Sequence, residues 1–244
     1  MPFTLPGPAD RAARLEAVLA TLDIAYARAH ADADADAAGA GRHAGFASEI
    51  LALTATLATL LPDQGEVLGL AALVRYAEAR RPARVDAEGA MIPLSEQDPA
   101  LWRRPLIDEA DRFLHRAGNL GAFGPRALNA AIHGLWCARA SRDEPVAWPT
   151  ILQLYDAMLR QRDDVIVRLN RAVALAELTG PQAALDEIDR LADARLAGFQ
   201  PWHALRADLL RRLGRAAESR ASYDQAIALA EGPAEKAWLA RRRP

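Results

Sequence analysis

The stretch "LRADLLRRLGRAAES", residues 205–219, decides how this chain is read. Arg206, Arg211, Arg212 and Arg215 make it basic, so it is either a polyanion-binding surface or the turn of a helical hairpin. Leu205, Leu209 and Leu213 recur every four residues, the spacing of one helix face, and Gly214 follows where a helix ends in a left-handed turn. Arg211 and Arg212 fall in the last turn, where positive charge suits the helix dipole. Asp208 stands three and four residues before them, within ion-pairing reach of either. Glu218 lies in the first turn of the next helix, again the favourable end. A hairpin accounts for these arginines without nucleic acid.

A related unit precedes it. "LNRAVALAELTGPQAAL" (169–185) also runs from a small, apolar helix face through a glycine turn into a second helix. Gly180 and Gly214 are 34 residues apart, the period of tetratricopeptide (TPR) repeats. In the second unit Ala207, Gly214, Tyr223 and Ala226 stand where that repeat wants a small residue, a turn glycine, an aromatic and a small residue. The register of the first unit is looser.

Helical spacing extends over the rest of the chain. Leu15, Val18, Leu19, Leu22 and Tyr26 mark one face of a helix over residues 12–29. Further helices are expected at 44–61, stopping before Pro62, and at 63–80, with Val67, Leu70 and Val74 inward. Pro82, Gly89, Pro93 and Pro99 then break the pattern. A helix is expected from Pro99 towards residue 116, followed by the glycine-rich joint "AGNLGAFGP" (117–125), in which Pro125 opens the next helix. Helices at 125–140, 148–161, 163–179, 181–194, 201–213 and 215–231 complete the series. No stretch alternates as a strand does. The expected fold is all-α, a helical hairpin array with an N-terminal helical region (1–118) and a TPR-like repeat region (119–244).

Composition narrows the function classes. The chain has 244 residues, a formal net charge of -2 and a pI near 6.2, so DNA binding by phosphate contacts alone is disfavoured. Lys236 is the only lysine, and nearly all positive charge is arginine. Cys137 is the only cysteine, which excludes an intrachain disulfide and a multi-cysteine zinc site. The apolar run "ILALTATLATLL" (50–61) is too short to span a bilayer, and no secretory signal opens the sequence. A soluble, cytoplasmic protein is expected, with no membrane contact.

The candidate chemical motifs fail one by one. "DADADAAGAGRH" alternates acids at Asp32, Asp34 and Asp36, but a calcium loop needs glycine sixth and glutamate twelfth, where Ala37 and His43 stand. "GAGRHAG" (39–45) lacks the preceding strand of a dinucleotide site. "GNLGAFG" (118–124) lacks the Lys-Ser/Thr pair of a phosphate loop. His133 and Cys137 share a helix face, but two ligands are too few for a metal, and "AAIHGLWCA" (130–138) reads as packing. His203 reads as a hydrogen-bonded residue at a helix contact. Asp108 with Asp111, and Asp186 with Asp189, read as solvated carboxylates beside arginines. No catalytic residue, metal site or cofactor is expected.

Several segments, in order, resemble a bacterial regulatory module. They are "LPDQGEVLGLAAL" (61–73), "EGAMIPLSEQDPALWRRPLIDEA" (88–110), "GPRALNAAIHGLWCARA" (124–140), "AWPTILQLYDAML" (147–159), "VIVRLNRAVALAELTGP" (165–181) and "HALRADLLRRLGRAAES" (203–219). The chain is similar over nearly its whole length to the C-terminal helical, TPR-like extension of one group of extracytoplasmic-function (ECF) RNA polymerase sigma factors. The matching positions are Gln97, Asp98, Trp102, Gly124, Pro125, Trp148, Leu154, Tyr155, Asp156, Asn170, Arg171, Arg206 and Asp208. The resemblance assigns them no catalytic role, and packing and helix-joining roles are expected for most. The chain departs from the family at "YARAHADADA" (26–35), and Cys137 stands where the family tends to have histidine. It begins about where the family's two sigma domains would end, so direct promoter recognition is not expected.

The resemblance implies a non-enzymatic module that binds a protein partner, a sigma factor or an RNA polymerase subunit, as a negative effector of transcription. Two alternatives stand beside it. One is a small-molecule-binding sensor whose pocket, near the "GNLGAFGP" joint, gathers His133 and Trp136. The other is a C-terminal fragment of a full-length sigma factor. The sign of regulation, the partner and the oligomeric state stay open at this level.

Overall fold

The computed structural model describes residues 7–35, 40–121, 123–191 and 194–244. Among these the secondary structure is all-α, with no strand beyond an isolated bridge between Val85 and Met91. The calcium-loop and glycine-loop readings of residues 32–45 concern side chains outside the described residues.

Helices α1 (Pro8–Ala35) and α2 (Ala40–Leu60) pack together and onto α3 (Gly65–Arg80). Helix α3 is the hub of this half. Val67, Leu70 and Val74 are buried as their spacing predicts, and so are Leu68, Gly69, Ala71, Ala72, Tyr76 and Ala79 around the rest of the helix. A helix buried on nearly every side needs neighbours on every side. Helices α4 (Arg104–Asn119) and α5 (Pro125–Cys137) supply them. Ala127 joins the α1–α3 core, and Ala130 and Cys137 join the core shared by α3 and α4.

The approach of α3 to α5 depends on glycine. A Cβ on Gly69 would lie 2.6 Å from the Ala127 nitrogen and 2.7 Å from its Cα. At Gly124 a Cβ would lie 2.5 Å from the Glu66 carboxyl group. That carboxylate accepts from the backbone N–H groups of Arg126 (3.1 Å) and Ala127 (3.2 Å), capping α5 from a neighbouring helix.

The second half continues as α6 (Trp148–Gln161), α7 (Val165–Thr179), α8 (Pro181–Asp189), α9 (Gln200–Arg212), α10 (Ala216–Leu229) and α11 (Pro233–Arg242). Each packs mainly on its neighbours in chain order. The cores overlap in the same way: α5, α6 and α7 share one, α7, α8 and α9 the next, and α9, α10 and α11 the last. Helices α7 and α9 both lead into positive-φ glycines, Gly180 (φ 95°) and Gly214 (φ 74°). In α9 the buried stripe is Ala207, Leu209 and Leu210, with Leu205 and Leu213 half-buried.

Three expectations need correction. No α-helix begins at Pro99: Asp98 accepts from the Ala100 N–H at 3.0 Å and caps a short 3-10 turn, Trp102 is extended, and α4 starts at Arg104. The helix expected over 181–194 stops at Asp189, and a separate 3-10 segment spans Ala194–Gly198. Helix α11 was absent from the expected series. It ties the end of the chain to the broken segment 84–97, where Met91 N–H donates to Ala234 O at 3.0 Å and Arg241 pairs with Asp86.

Candidate functional site

Where α11 meets the broken segment, a cleft of about 740 Å³ opens between the two halves. Its walls come from the loop 93–96, the C-terminal end of α5, the loop 142–148 and the facing sides of α7, α9 and α11. Trp136, Trp148 and Trp238 line it, with Val146 and Leu205. Trp136 and Trp148 meet edge to face, centroids 5.2 Å apart, which fixes the position of both rings.

The charged groups of the cleft divide sharply. Arg212 pairs with Glu177 at 2.7 Å, Arg142 with Asp98 at 3.7 Å, and Arg242 with both Glu96 and Asp208. These pairs are partly exposed, and each contributes little to stability, about 0–1 kcal/mol. Arg139 differs: it is only 4 % exposed, and among the described residues no carboxylate lies within 4.0 Å of it. Its Nη2 donates to Leu94 O at a long 3.4 Å, and its Nε has no acceptor. The guanidinium carbon lies 5.0 Å from the Trp136 ring centroid and 6.0 Å from that of Trp102. Burial lowers the Arg139 pKa from its ordinary value. Two indole faces offer a desolvated cation about 2 kcal/mol or more each, against a burial penalty of several. The cation is under-compensated. Trp238 Nε1, also in the cleft wall, is a second buried donor without an acceptor.

The two residues expected to share a pocket are separated. Trp136 lines this cleft, at the end of α5 remote from the 118–125 joint. His133 faces α3, where its Nδ1 lies 2.6 Å from Arg80 Nη2. Arg80 Nη1 reaches Cys137 Sγ at 3.7 Å, so one arginine bridges His133 and Cys137. Burial raises the Cys137 thiol pKa, which disfavours the nucleophilic thiolate. Among the described residues no group of three or more metal-ligating side chains gathers.

The remaining sequence positions are distributed through the fold. Gln97 is buried and donates to Ile92 O at 3.1 Å, and Trp102 is buried in the α3–α4 core. Gly124 and Pro125 open α5, and Trp148 opens α6. Tyr155 packs in the core between α5 and α7. Arg171 bridges Asp156 (2.6 Å) and Glu187 (2.7 Å), pinning α6, α7 and α8 together, while Asn170 is exposed on α7. Arg206 pairs with Asp189 at 2.9 Å and donates to Ser222 at 3.2 Å, linking α8, α9 and α10. Asp208 pairs with Arg211 at 2.6 Å and reaches the cleft. His203 contacts Ala197 O at 3.0 Å. Asp111 is exposed, as expected of a solvated carboxylate, and it also accepts the Tyr76 hydroxyl at 2.5 Å.

A second surface feature lies on α2. Phe46, Leu53 and Leu60 follow one another at seven-residue intervals, so they fall along one helix face. They are 43 %, 52 % and 69 % exposed. The adjoining face, with Ala47, Ile50 and Ala58, is buried in the α1–α3 core. No described element covers the outer stripe.

Residues 14–118 match a family described as of unknown function, DUF6596. Uncharacterized protein R00370 of Rhizobium meliloti (strain 1021) is 38 % identical over 239 residues, covering 98 % of this chain and 55 % of that protein. No solved structure matches. The chain is similar to that relative along almost its full length, yet spans about half of the relative's own.

Proposed function

We propose that this chain is a non-enzymatic regulatory module that binds an ECF sigma factor or RNA polymerase in the cytoplasm and lowers sigma-dependent transcription. The observation that carries the reading is the uncovered stripe of Phe46, Leu53 and Leu60 on α2. Large apolar side chains held in line on a helix are poorly placed in water, and an amphipathic partner helix would bury them. The ordered resemblance to the sigma-factor extension names the partner class. The α7/α8 and α9/α10 pairs are read as TPR-type hairpins, on the strength of their glycine turns 34 residues apart. In a longer protein carrying sigma domains, the same stripe would act within the chain.

The test is a pull-down of ECF sigma factors and core polymerase with the tagged chain and with Leu53→Glu/Leu60→Glu. Capture by the parent chain and its loss with the double variant are expected. Failure of the parent chain to retain either partner would sink the proposal. A second reading, a small-molecule sensor, is favoured by one separate observation, the under-compensated Arg139 in the cleft.

A further inference from the structure

We propose that the cleft binds a small carboxylic acid with a flat apolar body, its carboxylate set against Arg139 and its body among Trp136, Trp148 and Trp238. This site lies apart from the α2 stripe, and the inference does not depend on the partner proposed above.

The argument rests on charge, depth and shape. Every other arginine lining the cleft is already matched: Arg142 by Asp98, Arg212 by Glu177, Arg242 by Glu96 and Asp208. Arg139 alone among them lacks a carboxylate, and it is the deeply buried one. Asp143 and Glu144 follow it in sequence and line the same cleft, but neither comes within 4.0 Å of it. Glu144 acts on it as a more distant charge and accepts the Ala140 N–H at 2.7 Å. A buried cation without a direct ion pair favours an anion brought by a ligand over one already paired. The paired rim arginines hold less attraction for a polyanion, so a single carboxylate is selected over phosphate-rich ligands.

The apolar part follows from the walls. Three of the chain's five tryptophans line the cleft, and the edge-to-face pair of Trp136 and Trp148 presents a rigid aromatic surface. Trp238 Nε1 adds a donor without an acceptor. A volume of about 740 Å³ lies in the range of small-molecule sites. The depth of Arg139 admits one compact group better than an extended peptide backbone.

The probes are indole-3-acetate and benzoate, each paired with its neutral amide, indole-3-acetamide and benzamide. Binding to the full chain is read by calorimetry and by quenching of tryptophan emission. The acids are expected to bind saturably and at least about tenfold more tightly than the amides, a difference of about 1.4 kcal/mol. Arg139→Gln, checked for fold by circular dichroism, should erase the preference, and Arg142→Gln should keep it. The acid–amide comparison needs no variant, so a misfolded Arg139→Gln leaves the test intact. Equal binding of acids and amides, or no saturable binding of either acid at about 10 mM, overturns the inference. So does a folded Arg139→Gln that still prefers acids. The pull-down outcome with the α2 variant is independent, so either proposal can fail alone.

Discussion

Tyr26, Tyr76, Tyr155 and Tyr223 are the four tyrosines of the chain, and each hydroxyl sits where an ionised ring is disfavoured. Burial is the main cause at every one. It pushes Tyr155 up to about 12. At Tyr26 the charge of Glu78 adds to it, at Tyr76 the hydrogen bond to Asp111, and at Tyr223 the charge of Asp208. The folded values therefore lie above the unfolded value of about 10. Their contribution to stability is fully present below pH ~10 and is lost as pH rises from there through the folded values. An alkaline titration followed by near-ultraviolet absorbance should show almost no tyrosinate at pH ~10.5 while far-ultraviolet dichroism stays native. In denaturant all four should ionise near pH ~10. Two or more tyrosinates at pH ~10.5 in the native chain would contradict this placement.

At the scale of the element, the contact between α3 and α5 is where small substitutions matter most. Gly69→Ala places a methyl group against the Ala127 backbone, which cannot step aside as a side chain can. Gly124→Ala displaces the Glu66 carboxylate that caps α5. Overpacking of this kind costs about 1–3 kcal/mol, and loss of a cap about 1. Denaturant titrations should show both variants destabilised, Gly69→Ala the more. A change below about 0.5 kcal/mol in Gly69→Ala would mean that α3 and α5 are not in this close contact.

Helical periodicity made the interior of most elements legible, because a buried face repeats every three to four residues. It left the ends less clear. Pro99 does open an element, but Asp98 caps only a 3-10 turn there and α4 starts at Arg104, while the Asp164 cap sets the start of α7 at Val165. Helix α11 escaped because only Ala234 and Leu239 are buried in a short, charged segment. Its start signal, Gly232 followed by Pro233, was nevertheless present. His133 and Trp136 are three residues apart on one helix, yet one meets Arg80 and the other the cleft. Arg139 gave no local signal at all. Its special property is a missing partner, and that exists only once Leu94, Trp102 and Trp136 have been folded around it.

At the scale of the molecule, cores hand over from one helix group to the next, and α11 returns the chain end to the 84–97 segment. The arginines of 205–219 are spent on this packing: Arg206 on Asp189, Arg211 on Asp208, Arg212 on Glu177 and Arg215 on Glu218. The hairpin expected of that stretch is present, α9 and α10 meeting at Gly214. Among the described residues no helix is long and apolar enough to cross a membrane. The outer stripe of α2 is an apolar surface left uncovered among the described residues, and a protein partner is proposed to close it. Transcription in vitro from an ECF-dependent promoter, with purified sigma factor and core polymerase, tests that claim most directly. Adding the parent chain is predicted to reduce transcript in proportion to its concentration, and Leu53→Glu/Leu60→Glu to leave it unchanged. Equal transcript with and without the parent chain, or equal repression by the folded double variant, would contradict the account.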